Sequence, residues 1–325
     1  MTTTRARCIG VGHYLPARVV ENAEFERTLD TSDEWIKSRT GIERRHYAAE
    51  GERTSDLAIA AAKEALANGG LSGFDIDAII LATATPDRTF PATAVEVQTA
   101  IGMRGGFAFD TQAVCAGFVF ATAQANALIQ TGLAETVMVI GAETFSRILD
   151  FNDRSTCVLF GDGAGAMVLR ASQGSGGPED RGVLSANLNS DGRFSEILFV
   201  DGGPSTTGTA GVVHMSGREV FKHAVVKLAQ AGESALSAAG LGKQDVDWLV
   251  PHQANLRIMT QTALKFGIDM SKVVVTVQDH GNTSAASIPM AMSCAAAEGK
   301  FSPGDVLLME AIGGGLSWGA AVLRW

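Results

Sequence analysis

An internal repeat constrains the fold of this chain more than any other feature of its sequence. A segment that begins at Gly70 returns at Gly240, so the two copies lie 170 residues apart. At the same offset the matching segments are 65–66 and 235–236, 70–71 and 240–241, 75–80 and 245–250, and the apolar runs near Thr136 and Val306. A repeat of this length indicates two similar α/β halves joined about a pseudo-two-fold axis. The joint between them is where a binding site is expected.

The composition agrees with a large α/β protein. Hydrophobic residues make up 46% of the 325 positions, charged residues only 19%, and glycine occupies 37 positions. This balance is typical of an extensive buried sheet with closely packed helices. Residues 172–180, rich in Gly, Ser and Pro, are the best candidate for a boundary. We therefore predict an N-terminal half over residues 1–172 and a C-terminal half over residues 173–325.

Charge and cysteine spacing argue against several classes of protein. The formal net charge of −9 is unfavourable for a general nucleic-acid-binding protein. The cysteines are far apart and form no C-x-x-C motif, so neither a zinc ribbon nor a disulfide framework is expected. The N-terminal residues lack the apolar core of a signal peptide, and the weakly polar stretch 285–297 is too short to span a bilayer. We expect a cytoplasmic protein that does not contact a membrane.

Residues 106–131 contain a candidate nucleophile. An apolar segment ending at Phe109 is followed by Cys115 among small residues, and then by a long run of helix formers. The pattern predicts a strand, a tight turn and a helix, with Cys115 at or near the first helical turn. Free N–H groups and the positive end of the dipole at a helix start favour the thiolate, which is the reactive form. The alternative is a small buried apolar residue, as most free cysteines are.

The second half places two polar residues at the corresponding joint. At the 170-residue offset Cys115 corresponds to Ala285, and Asn282 lies in the turn just before it. His252 follows a predicted strand at 248–250, and the carboxyl ends of strands are the usual place for ligand chemistry in α/β folds. Taken alone, His252 is better explained by a structural role. A Cys, a His and an Asn that meet at one joint favour a catalytic site.

Trp35 and Arg39 are a candidate binding pair near the N-terminus. A helix is predicted to start at Ser32, and the spacing of four residues places both side chains on one helix face. An exposed Trp beside an Arg can stack on a planar ligand. A Trp packed under the arginine stem explains the pair equally well.

Four motifs, taken in chain order, carry a family resemblance. They are Ala113-Val-Cys115-Ala-Gly, Pro251-His252-Gln-Ala-Asn-Leu-Arg-Ile258, Gly281-Asn282-Thr-Ser-Ala-Ala-Ser-Ile-Pro289 and Gly313-Gly-Gly315-Leu-Ser-Trp318-Gly. With the segments 31–35, 39–44 and 160–164, they resemble β-ketoacyl-acyl-carrier-protein synthase III, the initiating condensing enzyme of type II fatty-acid synthesis. The resemblance implies an α/β thiolase fold, with two pseudo-repeated βαβαβαββ halves and buried central helices, usually as a homodimer.

The resemblance also implies a reaction. The Cys115 thiolate attacks an acyl-CoA, CoA leaves, and malonyl-acyl-carrier protein then loses CO2 and attacks the acyl-enzyme. The backbone N–H groups of Cys115 and Gly314 are the implied oxyanion donors, and His252 and Asn282 the implied donors to the malonyl thioester oxygen. The thioester of CoA is a substrate, and no metal or redox cofactor is implied.

The family resemblance assigns further residues to three binding regions. The implied CoA contacts are Thr31, Trp35, Arg39, Arg154, Gly217, Phe221 and Asn255. Arg257 matches a carrier-protein docking arginine, and Lys265 could extend that basic patch toward an acidic carrier. Phe90 matches the residue that closes the partner subunit's acyl pocket. Ile312 and Leu316 stand where phenylalanine is common in the family, which leaves the pocket shape and chain-length preference open.

Three competing hypotheses remain at this point. A sister condensing enzyme of polyketide, quinolone or other lipid synthesis would use the same triad on a different acyl group. A cysteine hydrolase also combines Cys, His and Asn, although the duplicated halves do not suit such proteases. A catalytically inactive binding protein of the same fold is the third, and the intact Cys115, His252 and Asn282 argue against it.

Overall fold

The secondary structure follows the predicted repeat. The structure is a computed structural model that describes residues 3–325. Its strands are β1 Thr3–Tyr14, β2 Arg18–Glu21, β3 Arg44–Tyr47, β4 Ala78–Ala82, β5 Phe107–Thr111, β6 Thr136–Glu143, β7 Gly163–Gly174, β8 Gly182–Ser190, β9 Leu198–Val200, β10 Val213–Met215, β11 Trp248–Pro251, β12 Val306–Gly313 and β13 Ser317–Arg324. Its helices are α1 Asn22–Phe25, α2 Asp33–Thr40, α3 Thr54–Gly69, α4 Thr93–Ala100, α5 Gly117–Gln130, α6 Gly217–Ala238, α7 Leu256–Phe266, α8 Val277–His280 and α9 Ser287–Ala297.

Two mixed sheets are built to the same plan. The first has the order β1-β7-β6-β4-β5, and the second has the order β11-β12-β13-β8. In each, a parallel pair (β4 with β6, β11 with β12) is followed by two antiparallel neighbours. The strand equivalent to β5 is reduced in the second sheet to a single parallel bridge between Leu249 and Val273. The chain passes from one sheet to the other between Gly174 and Gly182.

The two central helices, α5 and α9, form the middle of the molecule. Their sequences contain no charged residue, because nearly every side of each helix is covered. Phe118 and Val119 of α5 and Met292 of α9 share one core cluster with Met167 of the first sheet and Met309 of the second. The helices therefore lie between the sheets, as the resemblance implied. The predicted helix at 285–297 is observed as a short 3-10 turn followed by α9.

Outer helices cover the other faces of the sheets. Leu57 and Ala61 of α3 pack on Ile79 and Ile140 of the first sheet. On the second sheet, a separate cluster contains residues of α6 and α7 with those of β11 and β12. The result is a layered α-β-α-β-α arrangement, in which the carboxyl ends of the central parallel strands open at one joint. No helix within residues 3–325 has the length and apolar character needed to cross a membrane.

Candidate active site

Two facing turns of the same shape frame the joint. One is the 3-10 turn Val114–Ala116 before α5, and the other is the 3-10 turn Ser284–Ala286 before α9. Val114 has φ 49° and Ser284 has φ 50°, values in the left-handed region that are uncommon for residues other than glycine. Such backbone strain persists only where the surroundings hold it, and it concentrates at functional sites. The turn at Val114 brings Cys115 directly to the start of the helical segment.

Cys115 is buried, with 4% of its surface exposed. The neighbouring Ser284 side chain lowers the pKa of the thiol, while the nearby Glu143 carboxyl raises it. Burial is the largest influence and raises the pKa of the Cys115 thiol to about 12. The helix start alone was expected to favour the thiolate, but desolvation of the sulfur outweighs that effect. The resting group is therefore a thiol, and its proton needs an acceptor.

His252 follows the last residue of β11 and is also buried. Its Nδ1 atom lies 2.7 Å from the Ser287 hydroxyl oxygen, and its backbone N–H donates to the Glu310 carbonyl oxygen at 2.8 Å. Burial lowers the pKa of His252 to about 3, so the imidazole is neutral near pH 7. Because Ser287 engages Nδ1, the other ring nitrogen, Nε2, is the one available to a substrate.

Asn282 is held by its own turn and by a glycine-rich segment. Its side-chain Oδ1 accepts a hydrogen bond from the Ser284 N–H at 2.9 Å. Its backbone N–H donates to Leu159 at 2.8 Å, and its carbonyl accepts from Gly161 at 3.0 Å. Since the amide oxygen is engaged, the amide nitrogen is the group left to donate. The preceding Gly281 has φ 65°, and a side chain there would also meet the Cβ of buried Arg45 at 2.9 Å.

The glycine-rich segment after β12 passes close to Cys115. A Cβ atom on Gly313 would lie 2.6 Å from the Cys115 nitrogen, and one on Gly314 would lie 2.6 Å from the Leu198 carbonyl oxygen. Only glycine permits this approach of one backbone to another. Gly314 also lines a cavity of about 850 Å³, whose wall includes Val114 and Phe145.

The predicted acyl-pocket residues lie in different places. Phe90 is 83% exposed, in the loop whose residues Arg88 and Thr89 line the cavity. Ile312 and Leu316 are buried in a cluster with residues of α6 and α7, and Phe221 packs against that cluster. Their side chains therefore lie on the α6 side of the second sheet, away from the cavity lining. For Ile312 the reason is strand alternation, which directs successive side chains of β12 to opposite faces, whereas Leu316 lies in the turn between β12 and β13.

The predicted CoA residues near the N-terminus form an aromatic and basic cluster. The guanidinium carbons of Arg39 and Arg154 lie 5.9 Å and 5.1 Å from the centre of the half-buried Trp35 ring. Arg154 also forms an ion pair with Asp30 at 3.6 Å, next to Thr31. Ser32 caps α2 by accepting from the Trp35 N–H at 3.1 Å, as the sequence predicted. The tryptophan is thus flanked by two cations at the surface.

A second group of predicted contacts lies on α6 and α7. Gly217 begins α6, and Arg257 approaches the Phe221 ring with 5.9 Å between guanidinium carbon and ring centre. Asn255 caps α7 by accepting from the Ile258 N–H at 2.9 Å. Arg257 and Lys265 are both exposed on α7. The structure places these side chains on the outer side of the second sheet.

Sequence reasoning missed three polar residues of the site. Ser284 contacts Cys115 and Asn282, Ser287 contacts His252, and Glu143 lies behind Ser284. A signal for Glu143 existed, because an acid at the end of a fully buried apolar strand needs an explanation. Within residues 3–325, no group of three or more His, Cys, Asp and Glu side chains is arranged to hold a metal ion.

Comparisons with known proteins agree with this geometry. A family model described as 3-oxoacyl-[acyl-carrier-protein] synthase III matches residues 109–206, and the model of the C-terminal part of the same enzyme matches residues 236–325. The chain is 65% identical to the β-ketoacyl-[acyl-carrier-protein] synthase III of Dinoroseobacter shibae, over 99% of each chain. It is 64% identical to the Rhodobacter capsulatus protein of that name, over 99% of this chain and 100% of the relative.

A solved structure gives the same answer for the fold. The crystal structure of 3-oxoacyl-[acyl-carrier-protein] synthase III from Aquifex aeolicus matches with a TM-score of 0.92 and 45% identity, over 98% of this chain and 100% of the other. The fold and the relatives define the protein as an acyltransferase of thiolase-like fold. More narrowly, the chain belongs to the 3-oxoacyl-[acyl-carrier-protein] synthase III family, the condensing enzymes that initiate fatty-acid synthesis. The predicted fold class and family resemblance are thereby confirmed.

Proposed function

We propose that this protein condenses a short acyl-CoA, with acetyl-CoA as the expected primer, with malonyl-acyl-carrier protein. The products are a β-ketoacyl-acyl-carrier protein, CO2 and CoA. One observation carries the proposal: Cys115, His252 and Asn282 all contact residues of a single buried segment, 284–287. In this scheme the half at 1–172 supplies the nucleophile and the half at 173–325 supplies the two donors.

The first half-reaction transfers the acyl group to sulfur. The Cys115 sulfur attacks the thioester carbonyl carbon, negative charge develops on the carbonyl oxygen, and the bond to the CoA sulfur then breaks. The backbone N–H groups of Cys115 and Gly314 are the proposed donors to that oxygen. The close passage of the glycine segment beside Cys115 supports this assignment.

The second half-reaction generates the carbanion. Loss of CO2 from the malonyl group leaves negative charge that extends onto the thioester oxygen. A hydroxyl proton of Ser287 directed at Nδ1 leaves His252 protonated at Nε2, where it can donate to that oxygen. The Asn282 amide nitrogen is the proposed second donor. The carbanion attacks the acyl-Cys115 carbonyl and expels the thiolate.

Binding of the two carriers is assigned to separate surfaces. Trp35, between Arg39 and Arg154, offers a flat cationic site for the adenine and phosphates of CoA. Phe221 and Asn255 are proposed to line the path of the pantetheine arm. The exposed Arg257 and Lys265 are proposed to dock the acidic carrier protein.

The assembly and the setting complete the proposal. We propose a homodimer in which Phe90, 83% exposed beside the cavity, closes the partner's acyl pocket. We propose that the enzyme acts in the cytoplasm, where CoA and carrier-protein thioesters are made. No metal or redox cofactor is needed, because the thioester supplies the leaving group and CO2 loss supplies the carbanion.

The competing hypotheses are less well supported. The relatives at 64–65% identity bear the name of the fatty-acid initiating enzyme, which disfavours a secondary pathway. A protease or an inactive binding protein gives no account of a family membership that covers the whole chain.

Labelling with radioactive acetyl-CoA tests the proposal directly. Without malonyl-carrier protein, label should accumulate on Cys115, and later addition of malonyl-carrier protein should move it into a β-ketoacyl-carrier protein. Cys115→Ala should abolish labelling, whereas the matched variant Cys294→Ala should retain it, because Cys294 lies in α9 away from the joint. Label from long acyl-CoAs alone would favour a sister enzyme, and no label on intact Cys115 would exclude the covalent mechanism.

A further inference from the structure

Glu143 is a buried acid that the reaction as described does not use. It is the last residue of β6 and has 0% of its surface exposed. Its carboxylate accepts hydrogen bonds from the Thr85 hydroxyl at 2.7 Å, the Thr83 hydroxyl at 3.3 Å and the Ala84 N–H at 3.1 Å. These donors come from residues 83–85, directly after β4, and hold the carboxylate in one position at the joint.

Ser284 connects this carboxylate to the nucleophile. Its hydroxyl donates to Glu143 Oε1 at 3.0 Å, and the same side chain neighbours the Cys115 thiol and lowers its pKa. Because a hydroxyl that donates to Glu143 can still accept, the thiol S–H can donate to Ser284. The thiol, the hydroxyl and the carboxylate therefore lie in sequence, with Ser284 between Cys115 and Glu143. The φ of 50° at Ser284 fixes the turn that makes both contacts possible.

The surroundings restrict how much charge this pair can carry. The segments packed on β6 at this end contribute the hydroxyls of residues 83 and 85 after β4, the Ser284 hydroxyl and the Cys115 thiol. Helices α5 and α9 have no acid in their first turns. Beyond Thr85, Arg53 and Asp87 form an ion pair at 3.5 Å. Burial raises the pKa of Glu143 to about 7, and its charge opposes ionisation of Cys115. Two negative charges are therefore unfavourable here, but one is accommodated by several donors.

We propose that Glu143 takes the Cys115 proton through the Ser284 hydroxyl and holds it while the acyl-enzyme exists. The thiol proton passes to Ser284 Oγ as the hydroxyl proton passes to Glu143 Oε1, which leaves a thiolate, an intact hydroxyl and a neutral carboxyl. Glu143 is a positioning residue in this scheme, because it reaches the sulfur only through Ser284. The inference rests on the proposed condensation.

The proton balance closes over the full cycle. CoA leaves as a thiolate and takes a proton from solvent. When the carbanion attacks the acyl group, the carbon–sulfur bond breaks and the electron pair returns to Cys115. The proton on Glu143 then passes back through Ser284, which restores the thiol and the carboxylate. The cycle consumes one solvent proton, as decarboxylation of a malonyl carboxylate to CO2 requires.

The test is the pH profile of Cys115 reactivity in the full-length enzyme. The rate of Cys115 alkylation by iodoacetamide is measured from about pH 5.5 to 10 in the wild type, Glu143→Gln, Glu143→Asp and Ser284→Ala, with the site mapped by mass spectrometry. The acetyl-CoA burst is measured in parallel. Asp77→Asn is the matched control, because Asp77 holds the opposite end of the same strand by accepting from the Thr136 N–H at 2.8 Å.

We expect the wild-type profile to rise near neutral pH, where the coupled pair loses its first proton. In Glu143→Gln and Ser284→Ala the rise should move to alkaline pH, with a loss of about tenfold at pH 7 for each unit of displacement. The double variant should show little further displacement of the profile, because both changes interrupt the same proton path. Glu143→Asp should retain part of the neutral rise, and Asp77→Asn should retain all of it.

A Glu143→Gln profile that stays in place or moves to acid pH would overturn the inference. If Glu143 only repelled the thiolate, its removal would lower the pKa of Cys115 and move the profile to acid pH. If Glu143→Gln does not fold, the Ser284→Ala profile decides the question by the same criterion. A wild-type enzyme that is not labelled by acyl-CoA would instead contradict the proposed function. A labelled, condensing wild type with unchanged variant profiles would contradict this inference alone.

Discussion

The two halves of the molecule have the same backbone fold but carry different reactive side chains. The turns at 114–116 and 284–286 are both 3-10 turns, and each is followed by a buried helix. In both, the first residue has a left-handed backbone conformation. Strand β4 matches β11, and β6 matches β12, at the repeat offset. The strained conformation therefore belongs to the duplicated framework rather than to the cysteine. What differs is the set of side chains that this framework presents.

Most of the polar residues at the joint correspond to a small or apolar residue in the other half, and Asn282 corresponds to another amide, Gln112. At the 170-residue offset the pairs are Cys115 and Ala285, Ala82 and His252, Gln112 and Asn282, Ile140 and Glu310, and Glu143 and Gly313. One half thus keeps the thiol and its carboxylate, and the other keeps the imidazole, the amide and the glycine segment. Because the two similar halves meet at one joint, each contributes different side chains to a single site.

The largest effect is expected from His252→Ala, which places in the second half the alanine found at the equivalent position of the first half, Ala82. Loss of one preorganised donor should lower condensation by about 10²–10³-fold. The acetyl-CoA burst should be retained, since His252 is assigned to the decarboxylation step. Single-turnover assays of the two half-reactions measure this split, with the exposed His214→Ala as control. An equal loss in both half-reactions would contradict the assigned division.

A second prediction concerns Glu310, which replaces the Ile140 of the first half. Both carboxyl oxygens are buried and lack a hydrogen-bond partner among residues 3–325, and burial raises the pKa of Glu310 to about 8 from the ordinary 4.5. The folded state therefore keeps the Glu310 proton at a pH where the unfolded state has already lost it. The free energy of unfolding should be highest below about pH 4.5 and should fall as the pH rises to about 8.

Chemical denaturation of Glu310→Gln measures that dependence. Between pH 5 and 8 the wild type should lose on the order of a few kcal/mol relative to the variant, which cannot ionise. The two free energies of unfolding should converge at low pH. A difference that does not change with pH would indicate that Glu310 stays in one protonation state.

The smallest effect is expected from Gly141→Ala, which copies Ala311 of the second half. A Cβ at Gly141 would lie 2.1 Å from the Ala285 carbonyl oxygen, so the turn before α9 must shift. Overpacking of this kind costs about 1–3 kcal/mol of folding free energy. Thermal unfolding measures the loss, and the reverse change, Ala311→Gly, should cost less because it creates no clash. Equal stability of Gly141→Ala and the wild type would show that the joint can relax.

The sequence predicted the parts of the molecule that depend on local pattern. The duplicated halves followed from Gly70 and Gly240, and the buried helices followed from uncharged runs such as 285–297. Cys115 could be identified because it follows a strand and opens a helix. Ser284 and Glu143 escaped notice because they are 141 residues apart and meet only when the halves join.

By itself, the sequence determined the family, the two-half fold and the elements that carry Cys115, His252 and Asn282, because motifs and hydrophobic periodicity act over short distances along the chain. Only the tertiary structure decided that Ile312 and Leu316 pack toward α6, and that burial keeps the Cys115 thiol protonated. Solvent exclusion and contacts across the joint depend on both halves together. No local stretch of sequence encodes them.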